Sequence, residues 1–296
     1  SIAILDETPL RPLDTYALHL AESTARTVAE HYSDRRFSGA LRELLHFATA
    51  DLSTFYFDAN KDLLYADDAN SPRRRACQAA MVRILRHVTM CLAPIAAFTA
   101  EDIYAHTPVG VRRTFWGPGE EGDSVFKHRF EVPATPRLDA DTIEAWNEVR
   151  TLRAGTTGLL EEARKSGHIR SSQEASVTIR LSDDGAPPSW VGLLRDAEDD
   201  IFTVSQTAFV VGDACVVGRH DPRALLMEEE FGRSEVATSS GSAEIVLSRA
   251  RGSKCTRCWK FCGSVSHDAD CICERCRGVL DRGGGASAEE DAAVSG

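Results

Sequence analysis

Six of the nine cysteines in this 296-residue chain fall between residues 255 and 276, and their spacing is its strongest chemical signal. Cys255-Thr-Arg-Cys258 and Cys273-Glu-Arg-Cys276 together read C-x2-C-x14-C-x2-C. Each C-x2-C pair forms a tight knuckle that turns two sulfurs toward one point, and two knuckles supply the tetrahedral thiolate shell of a structural zinc site. A closed shell leaves no position for a reactive water, so the metal's expected role is folding. A module of this size is smaller than the roughly 40 residues that fold on an apolar core alone. Metal binding is worth about 10–16 kcal/mol in zinc-finger peptides and fills the gap. The expected ligands are Cys255, Cys258, Cys273 and Cys276, holding one zinc ion. Cys271 can replace Cys273 only by breaking the second knuckle, so Cys262, Cys271 and His267 are read as bystanders.

Two basic features accompany the cysteines. From Arg251 to Arg282 there are seven basic and four acidic residues, with Arg257 and Trp259 flanking Cys258. An exposed Trp beside an Arg can stack an unpaired base and hold a phosphate; the other reading is a Trp packed on the metal site. Between Asp68 and Glu101 lie five arginines and no carboxylate. At 100° per residue Arg75, Arg83 and Arg86 share one quadrant of a helix, opposite Cys77, Met81, Ile84 and Val88. Arg73 sits with Arg75 in the first turn, where the helix dipole disfavours positive charge. Phosphate contact by Arg73, Arg75, Arg83 and Arg86 is one reading, a solvated face the other.

No group of residues reads as catalytic. The chain has no Gly-rich phosphate loop, H-E-x-x-H or G-x-S-x-G, and Asp183-Asp184 and Asp199-Asp200 read as solvated turns. The formal charge of −11 argues against a protein that coats nucleic acid indiscriminately. An odd cysteine count with tight clustering fits a reducing compartment, so a cytoplasmic protein is expected. No apolar run approaches the ~18 residues needed to cross a bilayer. Ser1 in place of an initiator Met reads as the start of a processed or cut-out piece.

The elements that must position these residues follow from periodicity. Helical spacing runs from Leu13 to Tyr32 and from Ser38 to Phe57. Ser71-Pro72 opens a third helix with a capping hydroxyl, and Pro94 stops it. Thr99 recaps the chain for a short helix through Ile103. A long helix spans Asp141 to Lys165, with Trp146, Val149, Leu152, Leu159 and Leu160 inward and Gly167 at its end. Val177, Ile179 and Leu181 alternate as a strand; Phe202–Val211 and Ile245–Leu247 read as two more, with a short helix at Trp190–Asp196. The expected class is mainly α: a helix bundle over 1–110, a connecting segment over 111–140, a small α/β junction domain over 141–250, a four-cysteine zinc ribbon over 251–282 and a disordered tail over 283–296.

Several stretches resemble the C-terminal half of bacterial isoleucyl-tRNA synthetases. Asp51-Leu52-Ser53-Thr54-Phe55-Tyr56-Phe57-Asp58 with Lys61-Asp62, Ala69 to Arg75, and Phe98 to Asp102 look like that family's anticodon-binding bundle. Ser171 to Thr178 is similar to a signature after its long C-terminal helix. Lys254 to Trp259 and Cys273 to Cys276 look like its zinc module. Cys262 and Cys271 are extra, and Gln173 stands where an apolar residue is expected. The HIGH and KMSKS signatures of the family's catalytic domain do not occur. The resemblance implies a non-catalytic part of a class I ligase that grips the anticodon arm of isoleucine tRNA. ATP and Mg2+ would act only in separate N-terminal catalytic and editing domains. No membrane partner is expected, and the chain is expected to be a monomer. A free-standing zinc-ribbon nucleic-acid-binding or adaptor protein is the alternative.

Overall fold

A computed structural model of the chain describes residues 8–117, 123–132, 135–181, 188–195, 197–212, 214–217, 219–238, 241–266 and 270–282. His267, Asp183-Asp184 and the tail over 283–296 lie outside the described residues. The rest is mainly helical with one five-stranded sheet and a two-stranded ribbon. It forms two compact units, one from residues 1–57 and 69–143 and the other from 58–68 and 144–296.

In the first unit, α1 (Pro12–Ser33) begins on Pro12 with Asp14 buried in its first turn. Arg11 donates to Asp14 from Nε at 2.7 Å and Nη2 at 2.6 Å, and Tyr56 Oη donates to the same carboxylate at 2.8 Å. This buried charge is therefore paired and hydrogen-bonded, as burial requires. α2 (Phe37–His46) runs into a π-helical stretch, Phe47–Phe57. There the Thr54 hydroxyl reaches the Thr49 carbonyl five residues back. The wider turn buries adjacent pairs, Asp51 with Leu52 and Phe55 with Tyr56, where an α-helical wheel has one inward position. The single helix expected over Ser38–Phe57 is thus two kinds of helix.

The third expected helix is α4 (Pro72–Leu92), after α3 (Asp58–Ala66). Ser71 takes the N-cap position, but its hydroxyl makes no capping hydrogen bond. The expected recapping at Thr99 is replaced by α5 (Ala97–His106), with Ala96 at the N-cap. The segment expected to be a plain crossing contains α6 (Val109–Phe115) and a 3-10 turn at Val125–Lys127. Tyr104, Trp116, Met90 and Val125 form one core cluster.

The second unit is organised on α7 (Ala140–Lys165), whose Trp146, Val149, Leu152, Leu159 and Leu160 are all buried. It packs close to the sheet at Gly155, where an added Cβ would lie 2.9 Å from Ile245 Cδ1 and from Val236 Cγ2. The strands are β1 (Ala175–Leu181), β2 (Gln206–Val211), β3 (Ala214–Val217), β4 (Glu230–Thr238) and β5 (Gly241–Arg249), in the order β3-β2-β1-β5-β4. β1 and β2 are parallel and the other neighbours antiparallel. The expected strand from Phe202 starts only at Gln206, because α8 (Glu198–Ile201) and a left-handed Thr203 precede it. The expected helix at Trp190 is a 3-10 turn, Ser189–Leu194.

Residues 58–68 lie within the helical half in chain order but belong to the second unit. α3 packs on α8, and Arg153 of α7 donates to Asp58 Oδ2 at 2.7 Å and to the Ile201 carbonyl at 2.5 Å.

Candidate metal centre and nucleic-acid interface

The cysteine cluster is built on a short ribbon, β6 (Ser253–Lys254) paired with β7 (Phe261–Cys262). Gly252 precedes it with φ +87, and an added Cβ there would sit 2.4 Å from the Cys262 backbone. Only glycine meets both demands. The turn between the strands is the first knuckle: Trp259 N–H donates to the Cys255 carbonyl at 2.9 Å, and Cys255 N–H donates to the Lys260 carbonyl at 2.9 Å. Cys273 opens the second at a bridge to Val265, followed by helix over 274–282. Its N–H donates to Cys255 Sγ at 3.3 Å, joining the knuckles.

The four thiol sulfurs of Cys255, Cys258, Cys273 and Cys276 lie within 4.8 Å of one another and could hold a metal ion. Three of the four residues are buried and Cys258 is half-buried; all are free thiols. Cys271 is exposed with φ +47 and, like the half-buried Cys262, stands outside the group.

Four side chains tie this cluster to α3 and the segment after it. Arg275 makes a two-pronged bond to Asp62. Arg257 donates to the Ala66 carbonyl at 2.5 Å and to Cys276 Sγ at 3.4 Å. Lys260 Nζ lies 2.6 Å from Asp200 Oδ1 and 3.7 Å from Asp62 Oδ2. Arg282 Nε donates to Asp68 at 2.8 Å. Burial alone would lower the pKa of Lys260, but Asp200 and Asp62 hold it above its ordinary value.

Beside the cluster is a cleft of about 450 Å³ lined by Lys61, Tyr65, Gln173, Arg257 and Trp259. Trp259 is 65% exposed, so it is not packed against the sulfurs, and Tyr65 is 84% exposed. Trp259 is held at φ +66, with Lys254 Nζ 5.7 Å from its ring centroid. In the sequence Lys61 stands out only within a family-like stretch, with no site role, and Tyr65 not at all. Their helical spacing puts both on one face of α3, but nothing local marks that face as part of a cleft. Gln173, the polar departure noted above, donates from Nε2 to the Thr203 carbonyl at 3.2 Å.

The residue 14–179 segment matches the family model described as the anticodon-binding domain of tRNA ligase. The chain belongs to that family. It is 31% identical over 276 residues to the isoleucine–tRNA ligase of Nitratidesulfovibrio vulgaris strain DP4, covering 91% of this chain and 26% of that relative. The isoleucine–tRNA ligase of Gloeobacter violaceus is 32% identical, with 92% and 25% covered, and that of Staphylococcus haemolyticus 30%, with 94% and 27%. The chain spans about a quarter of the length of the curated relatives it matches. No described helix is long and apolar enough to cross a membrane.

Within the anticodon-binding family segment, the arginines of α4 are not on an open face. Arg73, Arg75, Arg83 and Arg86 are all half-buried. Arg75 donates to Asn70 Oδ1 at 3.1 Å and to Gln78 Oε1 at 3.3 Å. Arg83 and Arg86 line a second cavity with Glu22 and Arg137. The helical wheel assumed solvent opposite the Cys77–Ile84 stripe. Instead α4 packs against α1, α5 and α6, so both its sides meet protein.

Proposed function

We propose that this chain is the C-terminal, tRNA-gripping portion of an isoleucine–tRNA ligase and that it reads the anticodon arm of isoleucine tRNA. The observation that carries this reading is the cleft beside the cysteines. Two exposed aromatic rings, Trp259 and Tyr65, stand with Arg257 and Lys61 around a space of about 450 Å³. Splayed-out bases stack on such rings while cations hold the backbone, each base contributing about 1–3 kcal/mol. Similarity to isoleucine–tRNA ligases over nine-tenths of the chain supports the choice of tRNA.

In this reading Cys255, Cys258, Cys273 and Cys276 hold one structural zinc. Four sulfurs each about 2.3 Å from a central zinc stand about 3.8 Å apart, and Cys258 Sγ and Cys273 Sγ are 3.8 Å apart. The thiolate donor set and its enclosure also suit zinc. The ion would fasten the two knuckles and so fix Arg257 and Trp259 at the cleft edge. Arg73, Arg75, Arg83 and Arg86 would meet the tRNA backbone as a second, sequence-independent contact. Isoleucine activation with ATP and Mg2+, and editing, would reside in N-terminal domains of the same cytoplasmic, monomeric enzyme. The divisions at 110, 140, 250 and 282 remain our proposal for its modules.

The test is binding of the purified chain to isoleucine tRNA and to the same tRNA with an altered anticodon, at physiological salt, for the native chain and Trp259→Ala. Preference for the native anticodon, with about 5- to 100-fold weaker binding by the variant, is expected. Equal binding of both tRNAs by the native chain would remove the anticodon-reading role.

A further inference from the structure

The C-terminal end of α7 carries an exposed stack of rings that neither the cysteine cleft nor the arginines of α4 account for. The His168 ring lies on Phe231 of β4, with centroids 5.4 Å apart and planes 15° apart. Arg249 Cζ stands 5.1 Å from the centre of the same Phe231 ring. Phe231 is half-buried, whereas His168 is exposed. We propose that His168 is a stacking platform for one unpaired base of a single-stranded RNA, with the neighbouring phosphates held by Lys165 and Arg170.

The platform is built from two sides. Gly167, at φ +78, reverses the chain as α7 ends. His168 N–H and Ile169 N–H then both reach the Ala163 carbonyl, at 3.0 and 3.4 Å, and Ile169 is buried. Arg170 N–H donates to Glu174 Oε2 at 3.3 Å. Three successive bonded N–H groups and an inward Ile169 hold the turn, so His168 is presented at its surface. On the other side, the register of β4 against β5 slips between Glu230 and Gly232, which makes Phe231 the extra residue of a bulge. A bulge re-aims its side chain, and here that side chain meets the imidazole. Arg249 is tied in turn to Glu229 at 2.7 Å, which fixes its guanidinium beside Phe231.

The cations complete the chemistry. Lys165 and Arg170 are exposed, and the Lys165 ammonium and the Arg170 guanidinium have no hydrogen-bond or ion-pair partner among the described residues. The helix dipole accounts for Arg164 and Lys165 in the last turn of α7. It does not account for Arg170, which lies past the turn, or for an exposed imidazole lying flat on a ring. A flat, pre-ordered ring with cations three residues before it and two after it suits a base and its backbone, because histidine is among the side chains on which splayed bases stack. Holding the ring in advance also lowers the ordering cost of binding.

That the strand is RNA rests on the function proposed above, so the test excludes the cysteine cleft and the anticodon. Fluorescence anisotropy follows the binding of a labelled heptauridylate, and of an RNA duplex of the same length, to the whole chain carrying Trp259→Ala. Added to that background are His168→Ala, His168→Tyr, and Lys165→Gln with Arg170→Gln. The background chain should prefer the single strand. His168→Ala should weaken single-strand binding about 5- to 100-fold and leave duplex binding unchanged. His168→Tyr should bind at least as tightly as the background, a result that a misfolded variant cannot give. The double substitution should lower the salt slope by about 1.4, at about 0.7 for each single-strand phosphate contact. Equal binding of single strand and duplex, no single-strand binding by the background chain, or an unchanged affinity in His168→Ala would each overturn the platform. A native chain that ignores the anticodon while the His168 effect persists would remove the anticodon reading and leave this site standing.

Discussion

Arg275 and Asp62 meet through two parallel hydrogen bonds, Nη1 to Oδ2 at 2.6 Å and Nη2 to Oδ1 at 2.7 Å, across 213 positions of chain. The pair couples the second cysteine knuckle to α3, the helix that supplies Tyr65 and Lys61. Planar, charge-assisted pairs of this kind fix orientation as well as distance. Asp62→Asn keeps the shape and removes the charge facing both Arg275 and Lys260. We expect a loss of about 1–3 kcal/mol in unfolding free energy with zinc still bound at one per chain. Chemical denaturation alongside a zinc assay checks this, and loss of the metal in this variant would show that the anchor is needed to build the centre itself.

Cys273→Ser should abolish stoichiometric zinc and melt the residues around the ribbon while α1 and α4 keep their helical signal. Cys262→Ser and Cys271→Ser should leave metal content unchanged, because neither sulfur belongs to the group of four. Zinc per chain, followed by amide exchange, separates these outcomes; full zinc in Cys273→Ser would redraw the ligand set.

His87 should make the first unit sensitive to mild acid. In the unfolded chain a histidine takes up its proton near pH 6.5. In the folded chain desolvation, helped by Arg86 and Arg137 and opposed by Glu22, lowers that value. Below about pH 6.5 the unfolded state therefore holds more protons, and stability falls as pH drops, by at most about 1.4 kcal/mol per pH unit for one proton. The contribution is fully present above that pH and stops changing below the folded value. His87→Gln should flatten the slope between pH 7.5 and 5.5 in denaturant titrations. An unaltered slope would assign the acid sensitivity to His19, whose pKa is also lowered by burial, or to the carboxylates.

What could be read from the sequence and what could not divides on distance along the chain. The long helices α1 and α7 declare themselves because each buries a continuous apolar stripe, and the two knuckles because four sulfurs at short spacing have few other uses. The π-helical turn at Phe47–Phe57 escaped because its apolar residues satisfy an α-helical wheel almost as well. β4 escaped because a sheet-edge strand carrying Glu230, Arg233 and Glu235 shows no apolar alternation. The cleft was half legible: Arg257 and Trp259 flank a cysteine, but Tyr65 and Lys61 reach them only through tertiary packing. The helical wheel of α4 correctly put Cys77 and Ile84 in the core, yet it could not show that the arginine side also faces protein.

The discontinuous second unit also sets a timetable for synthesis. Asp62 leaves the ribosome long before Arg275 exists; at about 5–20 residues per second the interval across their 213 positions is roughly 10–40 s. Throughout that interval α3 has neither its cysteine-bearing partner nor Arg153 of α7 for part of the time, and its acidic face stays open to water. The first unit, by contrast, is drawn wholly from residues up to 143. Nascent chains should therefore acquire the helices of the first unit before the cysteine-bearing segment is made, so a stall or cleavage after residue 143 would release a chain in which one helix is orphaned.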